Sequence, residues 1–112
     1  MNILTARKII TIKRKDEINL VLQRGKKIYF KFGLIFLYKD RHSTDKQAAV
    51  LVKRSIGNAV KRNRVKRLVR QFFRNHYQLF DIYNRIIVLI NKKADLNYQQ
   101  LEENLIPMLK KR

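Results

Sequence analysis

The sequence predicts a single α+β domain, and three observations support this fold class. The chain has 112 residues, which is the usual length of one domain. Hydrophobic residues make up 46% of it and include six Phe and five Tyr, enough to build a core. Its periodic segments follow the order helix, strands, helix, strand, helix, with no repeat or linker between them. Residues 1–112 are therefore expected to fold as one unit.

The first third of the chain predicts an extended start, a helix and a strand region. Residues 6–14 are basic and are expected to be extended. Residues 16–23 predict a helix, because two acids stand in its first turn, three apolar residues share one face, and Gly25 follows as a stop. Residues 27–39 are rich in aromatic and branched residues, which predicts one or two strands with a break at Gly33.

The middle of the chain predicts a turn, a strand and a long basic helix. Residues 40–46 are polar and predict the turn, and residues 48–53 form a short apolar run typical of a strand. The helix that follows is expected to begin after Asn58, because asparagine is a preferred N-cap, and to reach His76 or Leu79.

The last third predicts a central strand and a terminal helix. Residues 85–90 are an unbroken apolar run, which is typical of a strand covered on both faces. Residues 91–97 are expected to form a loop. In the terminal helix four apolar residues share one face and Pro107 predicts a kink; the four are Leu101, Leu105, Met108 and Leu109.

The charge of the chain indicates a polyanionic partner. It carries 27 Lys plus Arg against 8 Asp plus Glu, a formal net charge of +19. Such self-repulsion in a compact domain is relieved by binding nucleic acid. A membrane surface is not the expected partner, because the basic residues are spread over the whole chain and do not lie opposite one wide apolar face.

Other classes of protein are excluded by what the sequence lacks. It contains no cysteine, so disulfides and thiolate zinc sites are excluded. The basic start has no apolar run of signal-peptide length, and no later segment has the length of a membrane span. We therefore expect a cytoplasmic protein.

The central basic helix separates its residues into two faces. At about 100° per residue, Val65, Val69 and Phe72 fall together and form a side suited to packing on a sheet. The remaining surface of the helix is cationic, with one amide inside it. Its candidate nucleic-acid-binding residues are Lys61, Arg62, Asn63, Arg64, Lys66, Arg67, Arg70 and Arg74.

A polar helix face is ordinarily only a solvated face, but two details favour binding here. Lys66 with Arg70, and Arg70 with Arg74, are like-charge pairs four residues apart, and no acid occurs between Lys46 and Phe80. Lys61 and Arg62 stand beside the positive end of the helix dipole, where cations are unfavourable. A phosphate backbone would turn these repulsions into ion pairs and would release counterions.

RNA is the preferred nucleic acid. A DNA recognition helix needs a partner helix packed before it, whereas strand-like sequence precedes this helix. Strands rich in Phe and Tyr beside a basic face suit single-stranded RNA, whose splayed bases stack on aromatic rings. We therefore expect no DNA partner.

The stretch "IGNAVKRNRVKRLVRQFFR" resembles the RNR signature of the protein component of bacterial ribonuclease P. The family pattern is a Gly-Asn-Ala-Val step, then Arg-Asn-Arg, Lys-Arg and a further Arg. It falls here on Gly57, Asn58, Ala59, Val60, Arg62, Asn63, Arg64, Lys66, Arg67 and Arg70. The length, the basicity, the "DEINLVLQRG" helix, the "LIFLY" strand and the "NYQQLEENL" helix also agree, so the resemblance spans nearly the whole chain.

The resemblance implies an α/β sandwich of about four strands and about three helices, with a left-handed crossover through the basic helix. It implies a partner, the catalytic RNA subunit, which removes the 5′ leader of precursor tRNA by Mg²⁺-assisted phosphodiester hydrolysis. It also implies that a cleft between the first helix and the sheet binds the single-stranded leader. By position the cleft residues are Ile18, Leu22, Leu34, Phe36 and Lys53.

Two features of this cleft depart from the family. The family often has Phe at the positions of Ile18 and Leu22, and the aliphatic residues here weaken the stacking of a base on the helix. Phe36 is left as the better platform for a base, and the alternative is that Phe36 is an ordinary core residue. Lys53 stands where Ser is frequent, and it is expected to add a phosphate contact.

The polypeptide itself shows no pattern typical of a nuclease. Its acids are scattered, His42 and His76 stand apart, and it has no glycine-rich phosphate loop. No catalytic and no metal-ligating residue is predicted, and the isolated chain is expected to be inactive. The alternative to a ribonuclease P subunit is a structural RNA-binding protein of the ribosomal type with no role in catalysis.

Overall fold

The computed structural model describes residues 9–92 and 96–110, which form five β-strands and three α-helices. The strands are β1 (Ile10–Thr11), β2 (Lys26–Phe30), β3 (Gly33–Tyr38), β4 (Gln47–Val52) and β5 (Arg85–Ile90). The helices are α1 (Lys15–Arg24), α2 (Ala59–Asn75) and α3 (Tyr98–Lys110), with 3₁₀ turns at Arg54–Ile56 and Tyr77–Phe80. The predicted order of elements is confirmed.

The strands form one mixed sheet in the order β1-β4-β5-β3-β2. Strands β2, β3 and β5 pair antiparallel, whereas β4 is parallel to both β5 and β1. The sheet has one strand more than expected. The additional strand is the two-residue edge strand β1. The Ile10 N–H donates a hydrogen bond of 3.0 Å to the Lys46 carbonyl, and the Ile12 N–H donates one of 2.9 Å to the Ala48 carbonyl.

Strand β5 is central and covered on both faces, as its apolar run predicts. Ile86, Ile87 and Val88 are 0% exposed. Ile86 and Val88 belong to the larger core, which lies between the sheet and helices α2 and α3. Ile87 belongs to a second core under α1. The sheet is therefore the middle layer of the domain.

The break predicted at Gly33 is the start of β3 after a tight hairpin. A Cβ atom on Gly33 would lie 1.8 Å from the carbonyl oxygen of Leu89 on the neighbouring strand. No side chain fits at that distance. Glycine is therefore required for β3 and β5 to approach one another here.

Helix α2 connects the parallel neighbours β4 and β5, so the predicted crossover through the basic helix is present. The hand of this crossover stays a prediction. The helix ends at Asn75, slightly before the predicted end, and the chain continues as a 3₁₀ turn. Its buried side chains are Val65, Val69, Phe72 and Phe73.

Helix α3 covers the larger core beside α2. Leu101, Leu105 and Leu109 are 0% exposed, as expected from their spacing, and Met108 is half-buried. Asn97 caps the helix through a 2.8 Å hydrogen bond that its Oδ1 accepts from the Gln100 N–H. Pro107 lies inside the helix, which continues to Lys110.

Candidate RNA interface

The basic helix begins at a side-chain cap. Asn58 Oδ1 accepts a 2.9 Å hydrogen bond from the Lys61 N–H, and the Asn58 carbonyl accepts one of 2.9 Å from the Arg62 N–H. The predicted N-cap is therefore confirmed. It fixes where the helix starts and thus which residues of α2 point away from the sheet.

The outward face of α2 is exposed from Asn63 to Arg74. We call its outward side chains the basic ridge, which consists of Asn63, Arg64, Arg67, Arg70 and Arg74, all exposed. Val69 and Phe72, on the opposite side, are 0% exposed. The amphipathic arrangement read from the sequence is therefore present, and the guanidinium groups project from a helix whose other side is fixed in the core.

The other three cations of the predicted interface are placed differently. Lys61 is exposed beside the first turn, and Lys66 is half-buried at the side of the ridge. Arg62 is half-buried and donates a hydrogen bond of 2.8 Å from Nη1 to the carbonyl oxygen of Gly57. Arg62 therefore braces the corner that leads into the helix, whereas Arg64 is free to meet a partner.

The charge of the basic ridge is not compensated within the described residues. Their ion pairs lie elsewhere and join Arg14 with Asp16, His76 with Glu102, and Arg85 with Asp40. Since Arg64, Arg67, Arg70 and Arg74 face solvent and no carboxylate of residues 9–92 and 96–110 forms an ion pair with them, they are available to an external anion.

The carboxyl end of α2 is held against α3 by polar contacts. Nε2 of His76 lies 2.6 Å from Oε2 of Glu102, and the Asn75 amide donates a 2.8 Å hydrogen bond to the Tyr98 hydroxyl. The His76 ring also lies on that of Phe72, with centroids 4.7 Å apart. Burial raises the pKa of Tyr98, the Asn75 bond opposes this rise, and Glu102 adds to it. His76 therefore belongs to a structural contact between two helices.

The predicted leader cleft is a half-buried apolar surface between α1 and the sheet. Ile18 and Leu22 of α1 and Leu34 of β3 pack on the second core and remain partly exposed. Lys53 is exposed at the end of β4, where its N–H bonds to the Ile90 carbonyl at 2.9 Å. Ile18, Leu22 and Leu34 therefore lie together on the α1 side of the sheet.

Phe36 corrects the prediction. It is 5% exposed and lies in the second core with Val21 and Ile87. The interpretation of Phe36 as the better platform for a base is therefore wrong, because α1 covers its ring. The alternative reading as core is the one that the structure supports.

Sequence reasoning missed two leucines of the same surface. Leu34 is in register with Leu89 of β5, and Leu89 is in register with Leu51 of β4. All three are half-buried and pack on the second core. The alternation of side chains along β4 and β5 was a signal that Leu51 and Leu89 lie on this face. Only the pairing of the strands shows that the three leucines form one row.

The acidic and histidine side chains of the described residues do not form a metal-binding cluster. Among residues 9–92 and 96–110, no group of three or more His, Cys, Asp or Glu side chains could hold a metal ion. In the same part of the chain no helix is long and apolar enough to cross a bilayer.

Comparison with known proteins decides the family. The family model for Ribonuclease P matches residues 7–112. The chain belongs to the Ribonuclease P protein family. The resemblance read from the RNR signature is therefore confirmed. A member of this family is the protein component of an endoribonuclease holoenzyme whose other component is RNA.

Similar Ribonuclease P proteins cover most of the chain. The Ribonuclease P protein component of Halalkalibacterium halodurans is 34% identical over 101 residues, 89% of this chain and 85% of that protein. The one from Listeria monocytogenes is 32% identical over 100 residues, 88% of this chain and 84% of that protein. This chain thus spans nearly the full length of both relatives.

Solved structures share the fold. The Staphylococcus aureus RNase P protein superposes with a TM-score of 0.80 at 24% identity and covers 92% of this chain and 94% of its own. The protein from Thermotoga maritima gives 0.77 at 23% identity, covering 91% and 96%. The α+β architecture described above is therefore that of other Ribonuclease P proteins.

Proposed function

We propose that the basic ridge binds the catalytic RNA subunit of ribonuclease P, and that the apolar surface beside α1 binds the single-stranded 5′ leader of precursor tRNA. The observation that carries this proposal is the ridge itself. Its four arginines share one exposed face of α2, and no carboxylate of the described residues pairs with them.

A phosphate backbone suits this ridge better than a folded acidic protein does. Each guanidinium presents a planar fork of donors that matches phosphate oxygens. Successive arginines at spacings of three or four residues follow one side of the helix. They can therefore contact consecutive phosphates, and each contact releases counterions from the RNA.

The surface for the leader is aliphatic. Ile18, Leu22 and Leu34 leave part of their apolar area in contact with solvent, and Lys53 is exposed directly after β4. Unstacked bases gain by covering such area, and a lysine adds a point charge for a phosphate. Because aliphatic groups stack less specifically than aromatic rings, the grip on the leader should tolerate many sequences.

The chemistry belongs to the RNA in this proposal. Magnesium ions held by the RNA would assist hydrolysis of the phosphodiester that joins the leader to the tRNA. The protein contributes positive charge, which reduces the repulsion between two RNAs and so lowers the Mg²⁺ concentration that they need to associate. The isolated polypeptide is then inactive. The chain would act in the cytoplasm, where tRNA is processed.

The test is leader removal by the cognate catalytic RNA at low Mg²⁺, with and without the chain. We expect the chain to increase both the affinity for precursor tRNA and the rate of cleavage, and to cleave nothing by itself. A precursor with a leader of one nucleotide is the control, because it lacks the segment that the apolar surface would bind. The proposal fails if the chain changes neither affinity nor rate.

A further inference from the structure

Val60 is an exposed apolar side chain next to the basic ridge, in the first turn of α2. It is 75% exposed, the highest value among the large hydrophobic side chains of the described residues. It belongs to neither core cluster. On α2 it lies beside Asn63 and Arg64, three and four residues further on, and in line with Arg67 after two turns. Val60 therefore extends the basic ridge at its amino end.

Folding does not explain a valine at this position. A β-branched residue is a weaker helix former than a long unbranched polar one. Val60 gains little burial in return, since three quarters of its surface faces solvent. A side chain that contributes little to the folded state and stands among cations is available to a partner.

Asn63 is the polar neighbour of this valine. Its side chain is exposed, and no hydrogen bond within the described residues uses its amide. The asparagines at the two ends of the helix are both engaged, because Asn58 caps α2 and Asn75 bonds to Tyr98. Asn63 thus keeps its donors and its acceptor free on the surface that meets the partner.

We propose that Val60 and Asn63 together contact one unpaired nucleobase of the RNA partner. This inference rests on the proposed function of the ridge and makes it more specific. Cations that bind phosphates fix position but do not read sequence, whereas apolar and amide groups contact the faces and edges of bases. Val60 covers the face of the base, Asn63 bonds to its edge, and Arg64 and Arg67 hold the neighbouring phosphates.

The surroundings of Val60 differ from those of Ile82, another exposed branched apolar side chain. Ile82 is 60% exposed, but it follows the acid Asp81 and lies outside α2. An isolated exposed isoleucine of this kind is ordinary on a protein surface. Ile82 therefore supplies a matched control, a branched apolar residue of similar exposure that is not part of the basic ridge.

The experiment compares Val60→Ser with Ile82→Ser in the full chain. The dissociation constant for the cognate catalytic RNA is measured at several salt concentrations, and the bases of the RNA are probed chemically with each variant bound. We expect Val60→Ser to weaken binding about five- to tenfold without changing the salt slope. One unpaired base that is protected by the unaltered chain should become reactive. Ile82→Ser should match the unaltered chain in both measurements.

A second pair of variants separates base contact from phosphate contact. Asn63→Ala should expose the same base as Val60→Ser, whereas Arg67→Gln should lower the salt slope and leave that base protected. The inference is overturned if Val60→Ser binds as tightly as the unaltered chain, or if it lowers the slope. If the unaltered chain itself does not prefer the cognate RNA to an unrelated RNA of equal length, the proposed function fails instead.

Discussion

Arg62 donates a hydrogen bond of 2.8 Å from its Nη1 atom to the carbonyl oxygen of Gly57, five residues earlier. The bond closes the corner between the 3₁₀ turn and the first turn of α2. Arg64, two residues later, is exposed and has no such partner among the described residues. The two arginines of the Arg-Asn-Arg motif therefore have different environments and should have different roles.

Replacing each arginine by methionine tests this difference, because methionine keeps an unbranched stem and removes the donors. Arg62→Met should lower the free energy of unfolding by about 1–2 kcal/mol, since a half-buried, charge-assisted hydrogen bond is lost. Arg64→Met should leave stability unchanged and weaken RNA binding. Urea denaturation and RNA titration measure the two effects. Equal losses of stability would show that Arg62 does not brace the corner.

The double variant Arg67→Ala with Arg70→Ala tests the basic ridge. Each phosphate contact contributes about 0.7 to 0.9 to the slope of log affinity against log salt. Binding to the catalytic RNA should therefore weaken, and the slope should fall by about 1.5, while the circular dichroism spectrum stays the same. Arg41→Ala, which removes an exposed cation from the turn between β3 and β4, is the control and should change neither. Unfolding of the double variant would instead make these side chains structural.

Gly33→Ala should strongly destabilise the fold. The added methyl would lie 1.8 Å from the Leu89 carbonyl oxygen, so β3 and β5 would have to separate. We expect a loss of about 2 kcal/mol or more in the free energy of unfolding. Gly57→Ala is the matched control, because there the methyl would meet the flexible side chain of Lys61 at 2.7 Å. Similar losses in both variants would contradict this account of Gly33.

Lys46 makes stability depend on pH in the alkaline range. Burial lowers its pKa below 10.5, Asp81 opposes this, and Lys39 adds to it. The unfolded chain therefore binds the Lys46 proton more tightly than the folded chain does. Burying the charged ammonium destabilises the fold at every pH below the folded-state pKa of Lys46, and this destabilisation disappears as pH rises toward 10.5. Between neutral pH and about pH 10, the unaltered chain should gain stability relative to Lys46→Met. A pH-independent difference between the two would contradict the lowered pKa.

The basic helix was the most predictable part of the molecule because its signals are local. The cap at Asn58, the buried side at Val69 and the exposed side at Arg67 all depend on residues within a few turns of one another. The same holds for Gly25, which follows α1 where expected. In such segments, periodicity and capping preference contain most of the information.

The surface beside α1 was less predictable because it depends on distant pairings. The row from Leu34 through Leu89 to Leu51 exists only because three strands far apart in sequence pair in one register. The sequence of α1 and that of β3, taken separately, likewise did not indicate whether α1 would cover Phe36. The family resemblance supplied the region, but not which of its side chains are exposed.

A buried polar residue was also missed. Asn84 is 2% exposed and ties down the turn after β3, donating to the Asp40 and Ser43 carbonyls at 2.8 and 2.7 Å and accepting from the Asp40 N–H at 2.7 Å. In sequence it looks like an ordinary loop residue before the apolar run of β5. Its partners lie more than forty residues away, so no local pattern marks it.

Helix α2 has a buried side and an exposed side whose side chains do not lie on the same face. Val65, Val69 and Phe72 anchor it in the interior, while Arg67 and Arg70 are separated from that interior by the width of the helix. Substitutions at such independent positions usually combine additively. The outer side could therefore be redesigned for a different polyanion without lowering the melting temperature of the domain.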